Sequence, residues 1–154
     1  MGRDKSTSDQ FGEKLTGIFV TEVFEELFRG RKPRFALLAP DNNEDGYRYT
    51  LYIQGEIESH WQEVLDHALC RNPHYAYCRR LGQLLQTAIF CIKSAYEAFA
   101  QYQAGNGARL GDIKPVALSC FTGWSNVFSG VYCANIPMNL HLIKARLSNC
   151  RLNP

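Results

Sequence analysis

The pattern that most narrows the fold lies between residues 35 and 54. Phe35 to Pro40 is a short apolar run, and Tyr47 to Gln54 alternates, with Tyr47, Tyr49, Leu51 and Ile53 on one side. Between them, Asp41 to Gly46 is rich in Asn, Asp and Gly. A period of two lines up one face of a strand, and these turn formers tolerate the angles of a tight reversal. An antiparallel hairpin follows. A hairpin alone is marginal in water, so the rest of the chain has to cover it.

The flanking segments have helical period. Val20, Val23, Phe24, Leu27 and Phe28 recur on one face, with Glu22, Glu25 and Glu26 turned outward. Thr16 is placed to cap this helix and Gly30 to end it, while Arg29 and Arg31 lie where the helix dipole favours cations. That accounts for the basic stretch Arg29 to Arg34 as a solvated helix end. Ser59 with Gln62 has the spacing of a capping box before Trp61, Val64, Leu65, Ala68 and Leu69. Asn72-Pro73 opens a further short helix that carries Arg79 and Arg80 and stops at Gly82. Leu85 to Ile92 suits a buried strand, although its length alone does not exclude a helix, and Ser94 with Glu97 forms a second capping box ahead of a helix to Gly105. This order of elements predicts an α+β fold: a small, mainly antiparallel sheet packed with helices.

A chain of 154 residues, 45% hydrophobic, suits one domain, and its net charge of +2 is too small to track a nucleic-acid backbone. No nucleic-acid partner is expected, and no membrane partner, since no apolar run approaches a membrane span. Residues 1–11 are polar and aperiodic and read as a flexible lead, 12–128 as the folded domain, and 129–154 as a divergent tail with one helix near His141 to Leu147. The six cysteines, at 70, 78, 91, 120, 133 and 150, include no C-x-x-C pair, so reduced structural thiols in a cytoplasmic protein are expected. His60, His67 and His74 stand seven apart, but Pro73 interrupts any shared helix and the spacing of a metal site is missing. No metal ligand is assigned.

The remaining feature is Gly105 to Pro115, a glycine-broken stretch that presents Lys114 just before a proline. Pro115 disfavours helix at Lys114, which places the lysine on an extended, exposed loop. By itself that is a solvated charge. It has company, however: Gly12-Glu-Lys-Leu-Thr16, then Asn72-Pro-His-Tyr-Ala-Tyr-Cys-Arg-Arg-Leu-Gly-Gln-Leu84, then Arg109-Leu-Gly-Asp-Ile-Lys-Pro115. In order and spacing these stretches resemble the C-terminal lid of the Gretchen Hagen type acyl-acid amido synthetases, members of the adenylate-forming enzymes.

The resemblance implies an ATP-dependent acid–amino acid ligase, in which a large domain binds ATP, Mg2+ and a carboxylic acid. A small lid rotates between adenylation and amide-forming states. Lys114 matches the lid lysine that meets the nucleotide phosphate, making it the catalytic and nucleotide-binding residue. Gly12 to Thr16 matches the hinge, making Lys14 the pivot. Arg79 and Arg80 could meet phosphate, but the favoured expectation is that they hold the lid to its large domain through carboxylates. That large domain is the implied partner. The chain is expected to be inactive alone, as a fragment, a separately encoded lid or a gene remnant. A non-catalytic interaction module that keeps the lid fold is the alternative.

Overall fold

The computed structural model describes residues 7–133. The predicted hairpin is its centre. Strands β3 (Phe35–Asn43) and β4 (Gly46–Gln54) pair antiparallel from Phe35↔Gln54 to Asn43↔Gly46. The two-residue turn is held by Asn43 Oδ1, which accepts from the Asp45 amide at 3.0 Å. β4 then pairs in parallel with β5 (Ala88–Ile92), and β5 antiparallel with β6 (Gly130–Cys133). The sheet is therefore mixed, in the order β3-β4-β5-β6, with two of its three pairings antiparallel. A parallel pair needs a long crossover, and residues 55–87 supply it with two helices.

Helices cover both faces. On one, α1 (Gly17–Phe28), α2 (Trp61–Leu69) and α3 (Pro73–Arg80) bury Val20, Phe24, Leu65 and Tyr75 against Leu38, Tyr49, Leu51 and Ile53. On the other, α4 (Ala95–Gly105) and α5 (Trp124–Val127) pack Phe99 and Trp124 against Leu37, Tyr52 and Phe90. The alternation in β4 separates the faces: Tyr49, Leu51 and Ile53 go one way and Tyr52 the other. Each large side chain so buried contributes about 2–3 kcal/mol of transfer free energy. No helix among the described residues is long and apolar enough to cross a membrane.

The starts of α1 and α3 agree with the sequence reading. Thr16 Oγ1 accepts from Phe19 N at 3.2 Å, and Asn72 Oδ1 accepts from His74 N at 2.9 Å. The capping boxes do not form. Neither His60, which caps α2, nor Ser94, which caps α4, makes a side-chain capping bond. Distant partners have taken their place. Gln62 Nε2 donates to Thr87 O at 2.7 Å, and Gln54 Oε1 accepts from Ala95 N at 2.9 Å, so α4 is capped from the end of β4.

Three further expectations are corrected. The lead expected to be flexible through residue 11 is ordered from residue 7, because β1 (Thr7–Ser8) pairs with β2 (Leu15–Thr16) and Ser8 is fully buried. The tail expected to begin at 129 contributes β6 to the sheet, where a Cβ at Gly130 would collide with the Cys91 carbonyl. The six cysteines are not all reduced, since Cys91 and Cys133 on neighbouring strands are joined as a disulfide. The helix expected near His141 to Leu147 lies outside the described residues.

Candidate functional site

Lys114 lies on a loop tied down at both ends. α4 runs through Gly105, so the loop begins only at Asn106, whose Nδ2 donates to Tyr102 O at 2.8 Å. Gly107 follows at φ +92°, a backbone angle that suits glycine. A short 3-10 turn, Leu110–Asp112, then tightens a stretch expected to be extended. Ile113 is buried on the α4 side of the sheet, and Lys114 beside it is exposed. After Pro115 the chain runs along the free edge of β3, where Ala117 O accepts from Leu38 N at 2.7 Å and Leu38 O accepts from Ser119 N at 2.9 Å. Ser119 Oγ in turn accepts from the buried Trp124 Nε1 at 2.9 Å. Among the described residues Lys114 has no ion pair, so its ammonium faces solvent between two fixed points.

Lys14 is held quite differently. Residues 9–14 make a turn between β1 and β2, closed from inside by a carboxylate. Glu13 is fully buried; its Oε1 accepts from Gln10 N at 2.7 Å and its Oε2 from Phe11 N at 2.7 Å. The Tyr49 hydroxyl lies 2.6 Å from both Glu13 Oε1 and Ser8 Oγ. A phenol has one proton to give, so Tyr49 donates to the carboxylate and accepts from Ser8. Burial first, and then the bond to Glu13, push the Tyr49 phenol well above its ordinary value of 10.0, keeping it protonated. Asn72 Nδ2 donates to Glu13 O at 3.1 Å and to Lys14 O at 3.2 Å, while its Oδ1 caps α3. The Cys78 thiol lies 3.5 Å from Phe11 O. Within this frame Lys14 takes φ +48°, a left-handed angle unusual for a residue with a Cβ, and its side chain is exposed.

The sequence stretches 12–16 and 72–84 thus meet in space, through Asn72. No hydrogen bond or ion pair among the described residues joins either of them to the Lys114 loop. Glu13 was passed over in the sequence because one acidic residue in a polar turn looks like any other. Its only signal was its place in Gly12 to Thr16.

The two arginines of α3 part company. Arg79 is engaged internally: its Nε and Nη2 donate to Asp66 at 3.1 and 2.9 Å, and its Nη1 to Leu84 O at 2.9 Å. Asp66 also accepts from Tyr75 Oη at 3.1 Å and Thr87 N at 3.2 Å, so this group ties α2, α3 and the approach to β5 together. Arg79 is a structural clamp, which corrects the expectation that it grips another domain. Arg80 is exposed, with its guanidinium 5.8 Å from the Tyr77 ring centre.

The histidines and thiols among the described residues do not assemble into a site. Among the described residues no three His, Cys, Asp or Glu side chains are grouped as metal ligands. Burial raises the thiols of Cys70 and Cys78, and the nearby charges of Asp66 and Glu13 respectively add to it, away from the thiolate that a nucleophile needs. The basic stretch after α1 lines an open hollow of about 710 Å³ with Gln54, Gly55 and Trp61, and Arg31 there pairs with Glu58 at 2.6 Å.

Comparison with known proteins completes the picture. A family model described as the GH3 family C-terminal domain matches residues 20–121. Among solved structures, the chain is similar to a GH3.15 acyl acid amido synthetase, with a TM-score of 0.62 at 13% identity. That likeness covers 90% of this chain and 29% of the other, so the chain spans about three tenths of its length. At this identity the likeness shows the fold alone. No curated protein matches the chain.

Proposed function

Since this chain belongs to the family of GH3 C-terminal domains, we propose that it serves as the lid of an ATP-dependent acyl-acid amido synthetase, with Lys114 as the cation it delivers. The observation that carries this is the state of Lys114: exposed, without an ion pair among the described residues, and braced by buried Ile113 before it and by β-pairing at Leu38 after it. A catalytic cation has to be free to meet its anion and placed so that little reorganisation is needed.

In the reaction, a carboxylate oxygen of the acid bonds to the α-phosphorus of ATP and the bond to the β-phosphate oxygen breaks, releasing pyrophosphate. Negative charge builds on the phosphoryl oxygens, and a preorganised ammonium in a dry site stabilises it by about 3–4 kcal/mol. Attack by an amine on the acyl-adenylate then forms the amide and releases AMP. Lys114 fits a phosphate as a point charge. On this reading Mg2+ and most of the nucleotide are held by the large domain, on the same chain or another. Closure of a mobile lid brings such a group in for one step and removes it for the next. A cytoplasmic setting, with ATP at hand, fits this reading, while the Cys91–Cys133 disulfide is the feature at odds with it.

The test is acid-dependent release of pyrophosphate by the chain joined to, or mixed with, a GH3-type large domain. Turnover that needs the chain and falls on Lys114→Ala supports the reading. Unchanged turnover, with or without the chain, overturns it. The alternative, an interaction module without catalysis, is favoured by Tyr77 and Leu81, each 55% exposed on or just after α3. It requires tight association that Lys114→Ala leaves intact and no gain in turnover.

A further inference from the structure

The turn that carries Lys14 is built too firmly for a pivot. Its buried carboxylate accepts two backbone amides and a phenol, Asp9 Oδ1 accepts from Gly12 N at 2.7 Å, and Asn72 binds the carbonyls on either side of the last peptide. β1 and β2 bracket it and are paired to each other. A residue about which a domain turns has to change its backbone angles, and here each change would cost several bonds. A strained angle persists only when its surroundings over-determine it, and such strain collects where a side chain has to be aimed. Among the described residues the exposed ammonium of Lys14 has neither a hydrogen bond nor an ion pair.

We propose that Glu13 is a positioning residue that locks Lys14 as a second fixed cation of the lid, carried rigidly with the body and aimed at an oxyanion across the interface with the large domain. This rests on the lid reading. The oxyanion is a phosphate of bound nucleotide or a carboxylate of the large domain. Glu13 acts through the backbone. With its carboxylate in place the amides of Gln10 and Phe11 are satisfied, the turn is closed, and Lys14 is held at its left-handed angle. Without it, two amides and the Tyr49 hydroxyl lose their acceptor, and the lysine is free to swing.

The experiment uses the chain joined to a large domain, and mixed with it, with ATP and an acid that the assembly turns over. Lys14→Ala, Lys14→Arg, Glu13→Gln and Lys114→Ala are compared. If the anion is nucleotide phosphate, Lys14→Ala raises KM for ATP about tenfold and leaves the affinity of lid for large domain unchanged. If it is a carboxylate, Lys14→Ala weakens that affinity about tenfold at low salt, and KM for ATP holds. In either case Lys14→Arg retains most of the function, and Glu13→Gln reproduces the defect with its lysine intact. Faster hydrogen exchange at the amides of Gln10 and Phe11 accompanies that defect. Should Glu13→Gln fail to fold, Lys14→Ala against Lys14→Arg decides, since both are surface changes. If Lys114→Ala abolishes turnover while Lys14→Ala alters neither KM nor affinity, the proposal is overturned and the lid reading stands. If Lys14→Ala acts but a folded Glu13→Gln does not, the positioning role of Glu13 is overturned. If Lys114→Ala is silent, it is the Lys114 assignment that fails.

Discussion

Two turns of this molecule each expose a lysine, and they are built by opposite means. The 9–14 turn is cinched by side chains: a buried carboxylate inside it, a phenol behind it and an amide from α3 across it. The Lys114 loop has no buried polar group at its centre. It is held by Ile113 in the core and by backbone pairing at the edge of β3. The first arrangement fixes a backbone angle; the second fixes the chain on either side of the lysine. A cation that has to meet a rigid anion on every closure suits the first design. One that has to be free of partners and already in place suits the second.

The comparison is sharpened most by activity. Lys114→Ala is expected to cut adenylation by the assembled enzyme roughly 100- to 1000-fold, the scale of losing a preorganised charge-stabilising donor, measured as pyrophosphate release. The same substitution is expected to move stability by less than about 0.5 kcal/mol, because no described bond is lost. Glu13→Ala is the converse. It leaves two half-buried amides and a buried hydroxyl without their acceptor and is expected to cost about 3 kcal/mol in denaturant unfolding. Equal stabilities for these two variants would break the contrast.

Smaller effects follow from the same turn. The Tyr49 phenol binds its proton more tightly folded than unfolded, first through burial and then through Glu13. Its contribution is therefore whole below its ordinary value of 10.0 and drains away as pH rises beyond it. Denaturation midpoints measured across alkaline pH are expected to fall steeply, and Tyr49→Phe to flatten the slope. Least of all, Lys14→Gly is expected to stabilise the chain by about 1 kcal/mol by removing the left-handed penalty, while losing the function of the lysine. A destabilised Lys14→Gly would mean that the angle is not strained.

What could be read in the sequence was whatever depends on near neighbours. Thr16 and Asn72 cap their helices through amides two or three residues ahead, and the hairpin follows from an apolar run and an alternating run on either side of a turn. Both capping boxes failed for the opposite reason. Gln62 and the α4 amide found partners 25 and 41 residues away, which no local pattern reports. The disulfide, whose cysteines lie 42 residues apart, and the parallel β4–β5 pair were hidden in the same way. In the candidate site, the exposed loop position of Lys114 was legible because a proline and glycines frame it. Glu13 was not, since its role depends on being indoors. Arg79 was misassigned because its partner Asp66, 13 residues away, lies on a different helix.

Tyr49 and Asn72 also set a timetable. Glu13 reaches Tyr49 across 36 residues and Asn72 across 59, whereas the hairpin forms from adjacent strands and α3 from eight successive residues. Closing such spans costs entropy before any bond is returned, so the 9–14 turn has nothing to close on until hairpin and helix exist. The start of the described chain is then among the last parts to become native. Pulse labelling during refolding is expected to find the amides of Gln10 and Phe11 protected after those of β3 and β4, making this turn a completion signal for the domain.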